Sequence, residues 1–295
     1  MGGVGRFRSD AARAHFLAAY RGAEAELPPA DESADVSTAF GTVRVYRFTG
    51  GGAGRPVVLL PGRNASTPMW AANLPGLLAR RTVYAVDLLG EPGMSVQDRP
   101  LRGPDDQARW FDEVLSGLEL ESAHLMGVSF GGWTATNHAV RRPGRAASLV
   151  LLDPVLTFAP VPVRTMLAVA PMGVPVTPPS VRRRVLRWLA GGADVDEGIP
   201  VAALIAAGAA DYLLRQPLPR RFTGDELRTL TIPVLAVIAG RSVIHDAHLA
   251  ARRARELLAH GQVELWREAS HAINGEFCDE IAARSHRFWD EVDRR

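Results

Sequence analysis

Apolar residues fall into two alternating rhythms along this chain. Val57–Leu60, Val83–Leu88, His124–Val128, Leu149–Pro154, Val234–Ile238 and Val263–Trp266 are short and apolar at most positions. Runs of that length predict strands buried on both faces. Between them, apolar residues recur every three or four positions. That spacing predicts helices over Asp10–Leu27, Met69–Leu78, Pro104–Leu118, Phe130–Arg141, His248–Ala259 and Phe277–Val292. Val36–Phe40 and Val43–Phe48, broken by Gly41, alternate instead and predict a hairpin at a sheet edge. Strands that alternate with helices predict an α/β fold, a mostly parallel sheet covered by helices on both faces.

One segment breaks the rhythm. From Val155 to Leu230 there is no strand-like run, only proline-rich connections and helical patterns such as Val181–Leu189 and Ala202–Leu214. The break predicts a core made of residues 1–154 and 231–295, with residues 155–230 inserted as a helical cap.

Composition narrows the chemistry. All 34 basic residues are arginine, so lysine Schiff bases and a phosphate-loop lysine are excluded. The glycine run Gly50–Gly54 accordingly reads as a flexible turn. A formal net charge of +2 over 295 residues gives no basic face made for nucleic acid. Arg182, Arg183, Arg184 and Arg187 predict a solvated helix face. One cysteine, Cys278, excludes an internal disulfide, and no Cys/His cluster suggests a metal or another cofactor. The longest apolar run, Ile199–Ala210, is too short to span a bilayer, and the N-terminus lacks an apolar signal core. The expected location is the cytoplasm.

The candidate chemistry lies at Gly127-Val128-Ser129-Phe130-Gly131, where a buried strand turns at once into a helix. In such a nucleophile elbow the serine sits on a strained turn, so the residues two before and two after it must be small. Gly127 and Gly131 meet that demand, and Gly132 lets the helix pack close to the strand. The helix N-terminus aims backbone N–H groups at the serine oxygen. Ser129 is the expected nucleophile.

The order of elements, the elbow and the inserted segment resemble the α/β-hydrolase superfamily of esterases and lipases. Leu59-Leu60-Pro61-Gly62, Met69-Trp70, Tyr84-Ala85-Val86-Asp87 and Phe222–Arg228 are similar to the small bacterial carboxylesterases of the naproxen-esterase type. The resemblance implies a cofactor-independent serine hydrolase that cleaves a small carboxylic ester through an acyl-enzyme. Its base would be His271, which follows the last strand and precedes the final helix. Its oxyanion donors would be the backbone N–H groups of Phe130 and Arg63, although Pro61 stands where the family carries histidine. Asp87 and Ser95 match a structural turn.

The acid departs from the pattern. In the usual place, after Val234–Ile238, stands Ser242, which cannot stay anionic beside an imidazolium. Asp153, at the end of the preceding strand, is the expected substitute. Asp246 and the absence of any acid are the alternatives. Leu, Val, Met and Trp outnumber charges in much of Val155–Leu230, which predicts an apolar acyl pocket under the cap, while the oligomeric state stays open. A C–C bond hydrolase, a cofactor-free perhydrolase and a non-catalytic binding or scaffold protein are compatible with the same residues. Dehalogenases and epoxide hydrolases are not, since they need aspartate where Ser129 stands.

Overall fold

The computed structural model describes residues 3–174, 177–192 and 198–295. The first half runs β1 (Arg6–Phe7), α1 (Asp10–Glu24), β2 (Glu32–Thr38), β3 (Gly41–Phe48), β4 (Val57–Leu60), α2 (Leu74–Leu78) and β5 (Val83–Val86). It continues through β6 (Val96–Gln97), α3 (Pro104–Gly117), β7 (Ala123–Val128), α4 (Phe130–Arg141) and β8 (Ala146–Leu152). There follow α5 (Val163–Val169), α6 (Pro179–Leu189), α7 (Pro200–Asp211), the short β9 (Tyr212–Leu213) and α8 (Gly224–Arg228). The chain closes with β10 (Val234–Ala239), α9 (Ala247–Leu257), β11 (Gly261–Trp266), α10 (Ile273–Glu276) and α11 (Cys278–Asp293).

The main sheet runs β11-β10-β8-β7-β4-β5-β3-β2, with β6 paired to β3. Pairing is parallel from β11 to β5 and antiparallel at the β2–β3 edge. Every residue of β4, β7 and β10 is buried, as expected of strands with a helical layer on each face. One core lies on each side. Phe111, Trp110, Trp133 and Leu149 belong to the first, Trp70, Leu74, Phe288 and Trp289 to the second.

This strand order puts the site where it is. From β4 the chain steps to β5 on one side, and from β7 to β8 on the other. The crevice at such a reversal is where open α/β sheets collect their ligands. Leu60 pairs with Gly127 and Val128 with Leu152, so the loops leaving β4, β7 and β8 lie side by side. Val237 pairs with Leu152 and Ala239 with Trp266, which brings in the loops after β10 and β11.

Two local expectations are corrected. Met69–Leu78 is not one helix but a 3₁₀ turn, Thr67–Trp70, followed by α2. Pro75 has no N–H to offer the preceding turn, so the helix restarts with that proline in its first turn. The arginine cluster on α6 is not wholly solvated. Arg182 is buried and donates from Nη2 to the carbonyl of Val174 at 2.9 Å, whereas Arg183, Arg184 and Arg187 are exposed.

The segment expected as the cap, 155–230, includes residues 175–176 and 193–197, which lie outside the described residues. Within its described part, α7 packs on α1, where Phe16, Tyr20 and Ala23 meet Leu204 and Ala207 in a small core of their own. β1 pairs antiparallel with β9, joining the N-terminus to the same segment. Among the described residues no helix is long and apolar enough to cross a membrane.

Candidate active site

The turn from β7 into α4 is strained in the way its residue spacing requires. Ser129 has φ 53° and ψ −114°, outside the regions open to most non-glycine residues. A Cβ on Gly127 would stand 2.3 Å from the carbonyl carbon of Gly131. A Cβ on Gly131 would stand 1.9 Å from the carbonyl oxygen of Leu60. Backbone fills both spaces, so nothing larger fits. Ser129 is held from both sides: its N–H donates to Leu152 and its carbonyl accepts from Trp133 and Val155. Its side chain is left only partly buried at the carboxyl edge of the sheet.

Nε2 of His271 lies 2.9 Å from Oγ of Ser129, and Nδ1 of the same ring lies 2.6 Å from Oδ2 of Asp153. The loop carrying His271 is braced by Glu276, which accepts from the N–H of Ser270 at 2.7 Å and from its hydroxyl at 2.6 Å. Asp153 follows β8 directly and has φ 44°, a left-handed conformation that aspartate tolerates better than most residues. The three residues expected from the sequence meet in one continuous hydrogen-bonded line.

Asp153 is 0% exposed and is met on both oxygens. The N–H of Ala239 donates to Oδ1 at 3.0 Å, and Oγ of Ser242 donates to Oδ2 at 2.6 Å. Ser242, where the resemblance leads one to expect an acid, is thus a donor to the Asp153 carboxylate. Nε2 of His245 lies 3.0 Å from Oδ1, off the line of a good hydrogen bond, so the contact is mainly electrostatic. Burial by itself would raise the Asp153 carboxyl, but His245 and His271 outweigh it and hold it well below the usual carboxylate range. His245 was legible only as a weak rival base. It lies behind Asp153, fully buried, and its one signal is its place three residues after Ser242.

Asp246 is not part of this line. Its side chain caps α9, accepting from the N–H of Leu249 at 2.9 Å. Asp87 is fully buried and binds the N–H groups of Thr67 and Met94, while Ser95 donates to the Asp87 carbonyl, a structural turn as expected.

Phe130 follows the serine directly, and Arg63 stacks on Phe130. Phe130 opens α4, so its N–H is one of the donors that a helix leaves without an internal partner. The loop after β4 passes directly beside Ser129, since a Cβ on Gly62 would lie 3.6 Å from the Cβ of Ser129. The N–H of Gly62 is already engaged, donating to Sδ of Met69 at 3.2 Å, and Arg63 is the next residue along this loop. The Arg63 guanidinium lies over the Phe130 ring at 4.5 Å and Nε is 3.3 Å from the buried Glu91. Glu91 drew no attention as a sequence feature. Among the described residues no cluster of His, Cys, Asp and Glu could hold a metal ion.

Comparison with known proteins places this geometry in context. The model of the alpha/beta hydrolase family matches residues 57–284. The chain is 28% identical over 261 residues to the uncharacterized carboxylesterase nap of Bacillus subtilis, covering 86% of this chain and 85% of that protein. It is 26% identical over 269 residues to carboxylesterase YbfK of the same organism, covering 88% of each. The crystal structure of naproxen esterase from Bacillus subtilis superposes with a TM-score of 0.86 at 27% identity, over 95% of this chain and 99% of that one. The chain belongs to the α/β hydrolase family.

Proposed function

We propose that this protein is a carboxylic ester hydrolase that works through an acyl-enzyme on Ser129, with His271 as general base and Asp153 as the acid that orients it. The observation that carries the proposal is the unbroken contact Ser129 Oγ–His271 Nε2–His271 Nδ1–Asp153 Oδ2 at a strained elbow. Similarity to carboxylesterases over most of the chain agrees with the same activity. Residues 155–230 serve as a cap over the core.

A serine hydroxyl needs its proton removed to attack a carbonyl, and Nε2 of His271 is placed to take it. Asp153 accepts from Nδ1, fixes the tautomer that leaves Nε2 free, and stabilises the imidazolium formed during attack. The negative oxygen of the tetrahedral intermediate faces the N–H groups of Phe130 and Arg63. His271 then returns the proton to the leaving alcohol, and water repeats the sequence to release the acid. Met69 and Val128 reach the space beside Gly62 and Ser129, giving the acyl group apolar neighbours. A fluorophosphonate probe should label the native protein at Ser129. Absence of labelling would count against an activated serine and for a non-catalytic homologue.

The pH profile follows from the charges. Asp153 is held below the usual carboxylate range, so it stays ionised as the solution is acidified. Log kcat/KM is therefore expected to fall on acidification with a limiting slope of one, the loss of a single base. Initial rates across about pH 5 to 8 on one activated ester test this. A flat profile argues against His271 as base, and a slope of two means that Asp153 titrates as well.

A further inference from the structure

The resemblance to esterases does not account for Glu91. It is 0% exposed, in the turn after β5, and every group that meets its carboxylate is a donor. Oε2 accepts from the N–H of Asn64 at 3.1 Å. Oε1 lies 3.3 Å from Nε of Arg63 and accepts from the side-chain amide of Gln216. Gln216 in turn accepts from Gln107, whose carbonyl oxygen accepts from the indole N–H of Trp110 at 2.8 Å. The line thus runs from α3, through the inserted segment, to the loop beside Ser129.

Other contacts hold that loop as well. The N–H of Ala65 closes a turn onto the carbonyl of Gly62 at 3.3 Å, with Arg63 and Asn64 at its centre. Asn64 has φ 59°, the conformation that the third residue of a type II turn requires. From below, α7 comes so close that a Cβ on Gly208 would stand 2.6 Å from the Asn64 carbonyl oxygen. Further along, Ser66 donates to the carbonyl of Pro92 at 2.8 Å and Thr67 to Asp87, so the loop is tied to the turn after β5 at successive points. Burial pushes the Glu91 carboxyl up, and Arg63, Asn64 and Gln216 pull against that rise.

We propose that Glu91 is a positioning residue for the oxyanion hole, holding the Arg63–Asn64 turn in register with Ser129 and linking it to the inserted segment through Gln216. The inference rests on the ester hydrolysis proposed above. Its chemistry is simple. The oxyanion donor must stand about 3 Å from where the charge develops, and a displacement near 1 Å costs about a hundredfold in rate. A carboxylate can accept from the Arg63, Asn64 and Gln216 donors together. A neutral amide has one acceptor oxygen and would set its own NH₂ against the remaining donors.

Glu91→Gln and Gln216→Ala test the proposal by steady-state kinetics on a p-nitrophenyl ester and by inhibition with an alkylboronic acid, which mimics the tetrahedral intermediate. Glu91→Gln is expected to lower kcat by about ten- to a hundredfold with KM within about twofold, and to weaken boronate inhibition by the same factor as kcat/KM. Gln216→Ala leaves the loop contacts in place and is expected to lower kcat by roughly threefold with the same constancy of KM. A folded Glu91→Gln variant with native kcat overturns the proposal, as does a loss confined to KM. If Glu91→Gln gives no cooperative melt, Gln216→Ala decides, and a native kcat there overturns it. An inactive native protein would defeat the ester hydrolase proposal instead, so the two failures are distinguishable.

Discussion

Ser129→Ala is expected to reduce ester hydrolysis by up to about a millionfold while leaving the fold in place, the scale on which loss of a triad serine falls in other hydrolases. The hydroxyl makes one side-chain contact, to His271 Nε2 at 2.9 Å, and the residue is only partly buried, so water can take its place at the imidazole. Alanine also keeps a Cβ at φ 53°, so the strain of the elbow is unchanged. The stability effect should stay within about 1 kcal/mol in either direction, since a solvent-replaced hydrogen bond contributes no more than that. Initial rates on p-nitrophenyl esters and a thermal melt of the same preparation measure both quantities. Turnover above a tenth of the native rate would remove Ser129 as nucleophile. A collapse of the melt would mean that the hydroxyl is structural.

The parallel strands were legible because burial on both faces leaves no polar alternation to blur them, as Val57–Leu60 and Val234–Ala239 illustrate. The helix Phe130–Arg141 has the bounds its pattern predicts, since the elbow fixes its start. What escaped was short or depended on a partner. β1, β6 and β9 are two-residue strands defined by pairing alone, and no periodicity marks a run of that length. The packing of α1 on α7 joins residues nearly two hundred positions apart, and the pattern of α1 says only that one face is apolar.

The candidate site divides in the same way. Ser129 follows from local spacing and His271 from the chain order that the resemblance implies, and the structure brings them within hydrogen-bond distance. Ser242 was visible as a missing acid, but not as a donor to the Asp153 carboxylate. That function exists only because β8 and β10 are neighbours. His245 and Glu91 have no motif at all. Each gains its place from the loops that the strand order crowds around the crevice.

The acid is the most direct test of that crowding. Asp153→Asn is expected to lower kcat by about 10⁴, the cost of holding the catalytic imidazole in the wrong tautomer in a serine protease. Backbone strain does not complicate the variant, because asparagine tolerates the left-handed conformation as well as aspartate does. Stability does. The buried carboxylate now accepts from Ala239 and Ser242 and faces His245, and an amide cannot satisfy those groups together. The melt should fall, so kcat must be referred to the folded fraction, measured by circular dichroism at the assay temperature. Asp246→Asn supplies the control. Its carboxylate caps α9, and asparagine caps helices about as well, so its rate and melt should remain near native. A large loss in Asp246→Asn with little in Asp153→Asn would transfer the acid to the loop after β10. Near-native rates in both would mean that Ser129 and His271 suffice as a pair. In that case the short contact between His271 and Asp153 would orient the ring without contributing to catalysis.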